Sequence, residues 1–185
     1  MMHNMVWMSS EIPGDVLDLA IDEFIAAEDQ HLTDSPITGD AKYAHKRNSK
    51  QFWIPEFHWF NGFVGHFKNI ANRNFMYDLD DNIHKGAVQY TRYSVGDKFD
   101  WHEDQKQSDK DDPEIRKLAF SIQLSDEDEY EGGELQFWHC TDTFFAPKRK
   151  GTIIFFDARL IHRVRKVKSG TRRALVGWYG GPPWK

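Results

Sequence analysis

Short strand-like segments separated by glycine-containing turns dominate the second half of the chain. They are rich in β-branched and aromatic residues, and turn signals such as Val95–Asp97 and Glu131–Gly133 follow them at short intervals. The predicted strands are Phe75–Leu79, Ala87–Tyr93, Phe99–Asp104, Leu118–Leu124, Glu134–Trp138, Thr152–Phe156, His162–Val167 and Arg173–Tyr179. Because helical segments do not alternate with these strands, the pattern predicts a double-sheet jelly roll rather than a parallel α/β sheet.

The first half of the chain is predicted to be largely helical. An amphipathic helix is expected after Pro13, and a second from Pro55 to about Ala71, where apolar residues recur every three or four positions. The polar stretch Leu32–Lys50 is predicted to be mostly loop, and Met1–Met8 either an edge strand or an irregular terminus. We therefore predict one domain over residues 1–185, mainly β with N-terminal helices (α+β), with helical support at about 13–74 and a jelly-roll core at about 75–180.

Composition excludes several classes of function. The net charge of -5 argues against nucleic acid as a partner, since phosphate contacts need a basic surface. No apolar run approaches the roughly 20 residues of a membrane span, and Met1–Met8 is too short for the core of a signal peptide. The single cysteine, Cys140, excludes an internal disulfide. These features predict a cytoplasmic protein without a membrane partner, and they leave the oligomeric state open.

A candidate metal site is formed by His102, Asp104 and His162. In a strand, alternate side chains share one face, so His102 and Asp104 are expected to point the same way. With nine histidines in the chain, this spacing alone is not specific. His162, which follows the strand Thr152–Phe156 after a turn, would complete a set of two histidines and one carboxylate, the facial triad of non-haem Fe(II) oxygenases.

Arg172 is the second candidate functional residue. Strand alternation places Arg172, Ala174, Val176 and Trp178 on one face and Arg173 on the other. If the first face lines the barrel, Arg172 brings a guanidinium inside, where it needs an anion such as a carboxylate held by two hydrogen bonds. The alternative is an arginine that points outward in a basic patch.

Several ordered blocks of the sequence resemble 2-oxoglutarate/Fe(II) dioxygenases of the prolyl 4-hydroxylase-like group. The blocks keep the order and spacing of that family and extend over roughly Phe75 to Tyr179. They are Gln89–Asp104, Lys117–Ser125, Tyr130–Leu135, Gly151–Phe156, His162–Val164 and Gly170–Val176. Together they form a specific signature, although no single block does.

The resemblance implies a double-stranded β-helix (jelly-roll) core with N-terminal helices that buttress one sheet. It implies that Arg172 binds the distal carboxylate of 2-oxoglutarate, that the Tyr93 hydroxyl joins that carboxylate, and that Gln123 faces the co-substrate. The implied Fe(II) ligands are His102, Asp104 and His162.

The implied activity is hydroxylation of a C–H bond, with release of succinate and CO2 and with ascorbate as a candidate reductant. No catalytic residue is expected beyond the metal ligands, because this chemistry needs no general base. Related halogenases lack the carboxylate ligand, so the presence of Asp104 favours hydroxylation.

A prolyl residue in a peptide or protein is the expected substrate, and the polar segment Gln105–Arg116 is the candidate lid. A small-molecule hydroxylase of the same mechanism is one alternative. A cupin-like metal-binding protein without oxygenase activity is another. A zinc hydrolase would need a general base beside the metal, and strand alternation turns the adjacent Glu103 away.

Overall fold

The computed structural model describes residues 5–9, 12–35, 46–105 and 115–184. Two α-helices and fourteen β-strands lie within these ranges. The helices are α1 (Gly14–His31) and α2 (Asn61–Phe75). The strands are β1 (Val6–Ser9), β2 (Thr33–Asp34), β3 (Arg47–Asn48), β4 (Lys50–Pro55), β5 (Ala87–Tyr93), β6 (Lys98–His102), β7 (Ile115–Gln123), β8 (Tyr130–Gly132), β9 (Leu135–His139), β10 (Asp142–Phe145), β11 (Ile153–Asp157), β12 (Ile161–Val164), β13 (Val167–Gly170) and β14 (Arg172–Gly181).

Two antiparallel sheets face each other and form the predicted jelly roll. The major sheet has the order β1-β11-β7-β14-β5-β4-β2, and the minor sheet has the order β10-β9-β12-β6-β3. A short ribbon, β13-β8, joins them at one end. Phe137 of the minor sheet and Phe156 and Trp178 of the major sheet share an apolar cluster, so the two inner faces pack against each other.

The two helices cover the outer face of the major sheet. Phe24 of α1 packs against Tyr90 of β5, with ring centroids 6.0 Å apart. Phe67 of α2 packs against Trp7 of β1, with centroids 6.4 Å apart. The helices and the outward side chains of the sheet form one buried cluster. The expected α+β class with buttressing helices is therefore confirmed.

The boundary between helical and strand regions differs from the prediction. Helix α2 begins at Asn61 rather than Pro55, because pairing with β5 extends strand β4 to Pro55 and turns follow between the strand and the helix. The predicted strand Phe75–Leu79 is wrong, since α2 continues to Phe75 and Met76 ends it in the left-handed conformation.

Smaller differences occur at strand ends. The edge-strand alternative for the N-terminus is confirmed, because Val6–Ser9 pairs with β11. The predicted strand His162–Val167 is two strands, β12 and β13. Gly170 ends β13 with a φ of +73°, and a Cβ there would lie 1.9 Å from the Glu129 carbonyl oxygen. Only glycine therefore fits at this position, two residues before Arg172.

No helix among the described residues combines the length and the apolar character that crossing a membrane requires.

Candidate metal centre

Three metal-ligating side chains converge between the two sheets. His102 and His162 are partners across the β6–β12 pair, and their ring centroids are 4.2 Å apart. The Asp104 carboxylate lies 3.7 Å from Nε2 of His102 and 3.5 Å from Nε2 of His162. One ligand atom from each residue lies within 4.8 Å of the other two. The arrangement expected from the sequence is therefore present as a cluster.

The route by which the chain builds this cluster differs from the prediction. Strand β6 ends at His102, so strand alternation does not place Asp104. Instead, the main-chain N–H of Asp104 donates to the carbonyl of Ala158, 2.8 Å away, in the turn before β12. That bond ties the segment after β6 to the segment that leads to His162.

A β-bulge orients His102. The register pairs His162 with His102 and Val164 with Phe99, so β6 carries one extra residue. The bulge places Phe99 on the same side as His102, and the two rings stack with centroids 3.6 Å apart. A regular strand would have put residues three apart on opposite faces.

Main-chain carbonyls fix the tautomer of both histidines. Nδ1 of His102 lies 2.7 Å from the Asp100 carbonyl oxygen, and Nδ1 of His162 lies 2.9 Å from that of Leu160. Because a carbonyl only accepts, each Nδ1 carries the proton and donates it. The lone pair of each Nε2 is then directed toward Asp104, where a metal would sit, and such outer contacts are typical of metal-binding histidines.

The charge state of the cluster also suits a metal cation. Burial, reinforced by His162, lowers the pKa of His102 to about 4, so its imidazole is neutral at pH 7. Burial alone would raise the pKa of Asp104, but His162 and His102 lower it overall, so the carboxylate is ionised. Asp104 lies within ion-pair distance of both histidines, and Trp178 and Arg116 also help to lower its pKa. A carboxylate beside two imidazoles is the donor set of a two-histidine, one-carboxylate iron site.

A buried guanidinium lies in the same cavity. The Arg172 side chain is 1% exposed, and its Nη2 donates to Oε1 of Gln123 over 3.0 Å. Its Nε has no hydrogen-bond partner among the described residues. Tyr93 is its register partner on β5, and the Arg172 guanidinium carbon lies 5.5 Å from the Tyr93 ring centroid. A buried cation with an unused donor requires an anion, and a ligand carboxylate would meet that need.

One cavity connects the candidate residues, with one exception. Its lining includes His102, Asp104, His162, Tyr93 and Arg172. Gln123 is buried behind Arg172 and holds its guanidinium, rather than lining the cavity. Its expected role toward the co-substrate stays a prediction.

The sequence profile of the 2OG-Fe(II) oxygenase superfamily matches residues 88–180 of the 185. The chain belongs to this superfamily. A PKHD-type hydroxylase of Synechococcus sp. (strain CC9902) is 35% identical over 92 residues, which cover 50% of this chain and 40% of that protein. The match therefore spans less than half of the length of that hydroxylase.

Solved structures show the same fold. A prolyl-4-hydroxylase of Pseudomonas putida has a TM-score of 0.75 at 16% identity, covering 98% of this chain and 95% of that one. A prolyl hydroxylase of Trichoplax adhaerens, solved with a hypoxia inducible factor oxygen degradation domain peptide fragment, has a TM-score of 0.73 at 12% identity, covering 95% and 83%. The resemblance to the prolyl 4-hydroxylase-like group of the superfamily is confirmed.

The cavity of this oxygenase-family chain also contains polar residues that the sequence did not single out. Ser121 Oγ is buried there without a hydrogen-bond partner among the described residues, and the Trp178 indole N–H faces the Asp104 carboxylate and helps to lower its pKa. Strand alternation predicted that Trp178 shares the face of Arg172, without giving it a role, and could also have found Ser121, which shares the face of Gln123. Arg47 and Gln89 also line the cavity. Arg47 lies in a segment predicted to be loop, and no pattern indicated it.

Tyr130 is a further residue near the guanidinium. Burial raises the pKa of Tyr130, while the neighbouring charge of Arg172 acts to lower it. The sequence gave no reason to place Tyr130 beside Arg172, because the contact depends on the β8–β13 ribbon.

The turn before His162 is held by a buried carboxylate. Asp157 accepts hydrogen bonds from the Arg159 main-chain N–H at 2.8 Å and from its Nε and Nη2 at 2.9 and 2.6 Å. The Tyr77 hydroxyl also donates to Asp157. This turn presents the carbonyls of Ala158 and Leu160 to Asp104 and His162. The candidate lid, Gln105–Arg116, lies mostly outside the described residues.

Proposed function

We propose that this chain is a 2-oxoglutarate- and Fe(II)-dependent hydroxylase. The observation that carries the proposal is that one cavity contains both the His102, Asp104 and His162 cluster and the buried guanidinium of Arg172, which forms no ion pair with a carboxylate among the described residues. A cupin-like metal site without a co-substrate would not need that guanidinium. A zinc hydrolase would need a general base, and Glu103 is exposed outside the cavity.

The cluster would hold the iron, and Arg172 would bind the distal carboxylate of 2-oxoglutarate with help from the Tyr93 hydroxyl. When bound, Fe(II) supplies the oxidation chemistry, in which O2 and 2-oxoglutarate give succinate, CO2 and a hydroxylated C–H bond. Ascorbate is a candidate reductant that keeps the metal in the Fe(II) state.

The protein's own contribution is positioning and exclusion of water. The carbonyls of Asp100 and Leu160 hold the imidazoles in one tautomer. Gln123 holds the Arg172 guanidinium in one orientation, so less side-chain conformational entropy is lost when a carboxylate binds. Apolar side chains such as Phe156 and Val176 form part of the cavity wall and lower the local dielectric constant, which strengthens the charged contacts inside.

The proposed substrate is a prolyl residue in a peptide or protein. The prolyl hydroxylases of similar fold, one of them solved with a peptide fragment, support this class. An aromatic pair at the cavity rim also supports it. Trp178 lines the cavity, and the half-exposed Trp53 lies beside it with ring centroids 6.5 Å apart. Indole faces of this kind offer a flat apolar contact to a pyrrolidine ring.

A small carboxylic acid is the second candidate substrate class. It is favoured by Arg47, a second guanidinium that lines the cavity.

The test is succinate release from 2-oxoglutarate by the iron-loaded protein, with and without proline-rich peptides, free proline and ascorbate. We expect Fe(II)-dependent succinate and a mass gain of one oxygen on a peptide. Succinate formation with oxidation of a metabolite alone would contradict the peptide substrate. Absence of any iron-dependent succinate would contradict the enzyme assignment.

A further inference from the structure

We propose that Arg47, oriented by Gln89, forms a second anion subsite in the metal cavity and binds a carboxylate of the substrate that is hydroxylated. This inference rests on the proposed hydroxylase function and narrows its substrate class to carboxylate-bearing molecules.

Arg47 is placed beside the metal cluster by a stack of three planar groups. Its guanidinium carbon lies 4.8 Å from the centroid of the Phe99 ring. The Phe99 ring also stacks on the imidazole of His102, which lies on the same strand, β6, with centroids 3.6 Å apart. Strand β3 carries Arg47 and pairs with β6, so the same bulged strand positions both the guanidinium and the histidine.

Among the described residues, neutral acceptors hold the Arg47 guanidinium. Its Nη2 donates to Oε1 of Gln89 over 2.8 Å, and its Nε donates to Oγ of Ser49 over 3.0 Å. No carboxylate among the described residues forms an ion pair with it. Arg159 and Arg173 differ from Arg47, since Arg159 pairs with Asp157 and Arg173 with Glu28. Arg47 is therefore fixed in orientation while its charge remains available to a ligand.

Arg47 and Arg172 are held at different positions along β5. Arg172 pairs with Tyr93, whereas Gln89, which holds Arg47, pairs with Val176. The two backbone positions on β5 are four residues apart, which corresponds to about 13 Å along a strand. The two guanidinium groups are therefore anchored separately, so Arg47 forms a subsite distinct from the one proposed for 2-oxoglutarate.

Two kinds of molecule could supply this carboxylate: a free or C-terminal prolyl acid, or an acidic side chain next to a prolyl residue. The experiment uses the full chain loaded with Mn(II) and 2-oxoglutarate, with probe binding measured by calorimetry. One pair of probes is N-acetyl-L-proline and N-acetyl-L-prolinamide. The other is acetyl-Pro-Glu-amide and acetyl-Pro-Gln-amide. Each pair differs in its carboxylate, and the pair that shows a preference identifies the source.

We expect the acid of one pair to bind about tenfold or more tightly than its amide, as lost charge-assisted hydrogen bonds would predict. Arg47→Gln should abolish this preference, and Arg47→Lys should retain part of it. Arg73→Gln, the same change at an exposed position of α2, should leave it intact. Thermal melting of each variant checks that the fold is preserved.

Equal binding of acid and amide in both pairs, or no binding of either acid, would overturn the subsite. So would an Arg47→Gln variant that weakens acid and amide alike, because that result assigns Arg47 a purely structural role between β3 and Gln89. Succinate release by the iron-loaded protein without any probe reports on the proposed function separately. Succinate without an acid preference removes only the subsite, and no metal-dependent succinate removes both.

Discussion

The main-chain N–H of Asp104 donates a hydrogen bond to the Ala158 carbonyl, 2.8 Å away. The Gln105 N–H donates to the same oxygen at 2.9 Å. The carboxylate of the metal cluster therefore depends on a turn more than fifty residues later in the sequence, and that turn also presents the carbonyl that orients His162. A substitution that alters the turn should therefore displace two candidate ligands, Asp104 and His162.

Asp157→Asn should weaken metal binding although Asp157 does not belong to the cluster. The substitution removes charge from the bonds to Arg159 and Tyr77 that hold the turn. Changes at such outer positions typically reduce metal affinity by about 10- to 100-fold. Tyr77→Phe, which removes one of these bonds, should have a smaller effect. Calorimetry with Mn(II) measures both, and wild-type affinity in folded Asp157→Asn would show that the turn holds without the charge.

Alanine at any one of His102, Asp104 and His162 should remove most of the metal affinity. Three ligands are the minimum for a facial site, so each loss leaves only two protein donors. His66→Ala is the matched control, since this exposed histidine lies on α2. Calorimetry with Mn(II) gives the affinities. If two of the three variants bind metal as the wild type does, the ligand assignment is wrong.

Arg172→Ala and Arg173→Ala should affect different properties. Arg172→Ala should raise the KM for 2-oxoglutarate by about tenfold or more, for charged hydrogen bonds worth roughly 1.5–3 kcal/mol. Arg173 lies on the opposite face, where its Nε donates to Glu28 Oε1 of α1 over 2.9 Å. Its loss should lower the free energy of unfolding while leaving that KM near the wild-type value. Similar KM changes in both variants would contradict this assignment of faces.

Strand alternation predicted much of the site, and it failed where the backbone departs from a regular strand. The inward position of Arg172 and the outward position of Arg173 follow from period two and are confirmed. The bulge in β6 is set by pairing with β12, which no local pattern encodes. Arg47 belongs to a two-residue strand, too short to show any period. Contacts between distant segments decide such positions.

Glu28 should make the stability of the protein depend on pH below about 4.5. Burial alone would raise the pKa of Glu28, but hydrogen bonds from Tyr90, Arg173 and Arg92 lower it below the usual 4.5. A carboxylate with a lowered folded-state pKa binds fewer protons in the folded protein than in the unfolded one. Its stabilisation is therefore complete above the unfolded pKa and is lost as the pH falls through the folded pKa.

The measurement is urea unfolding of the metal-free chain at a series of pH values from 7 downward, for the wild type and Glu28→Gln. The wild type should lose stability more steeply below about pH 4.5. Glu28→Gln should be less stable at pH 7, because its amide accepts weaker hydrogen bonds from Arg92 and Arg173, and the gap should narrow as the acid protonates. Asp29→Asn, a change at an exposed position of the same helix, is the control. A constant difference between wild type and Glu28→Gln across this range would mean that the network does not lower the pKa of Glu28.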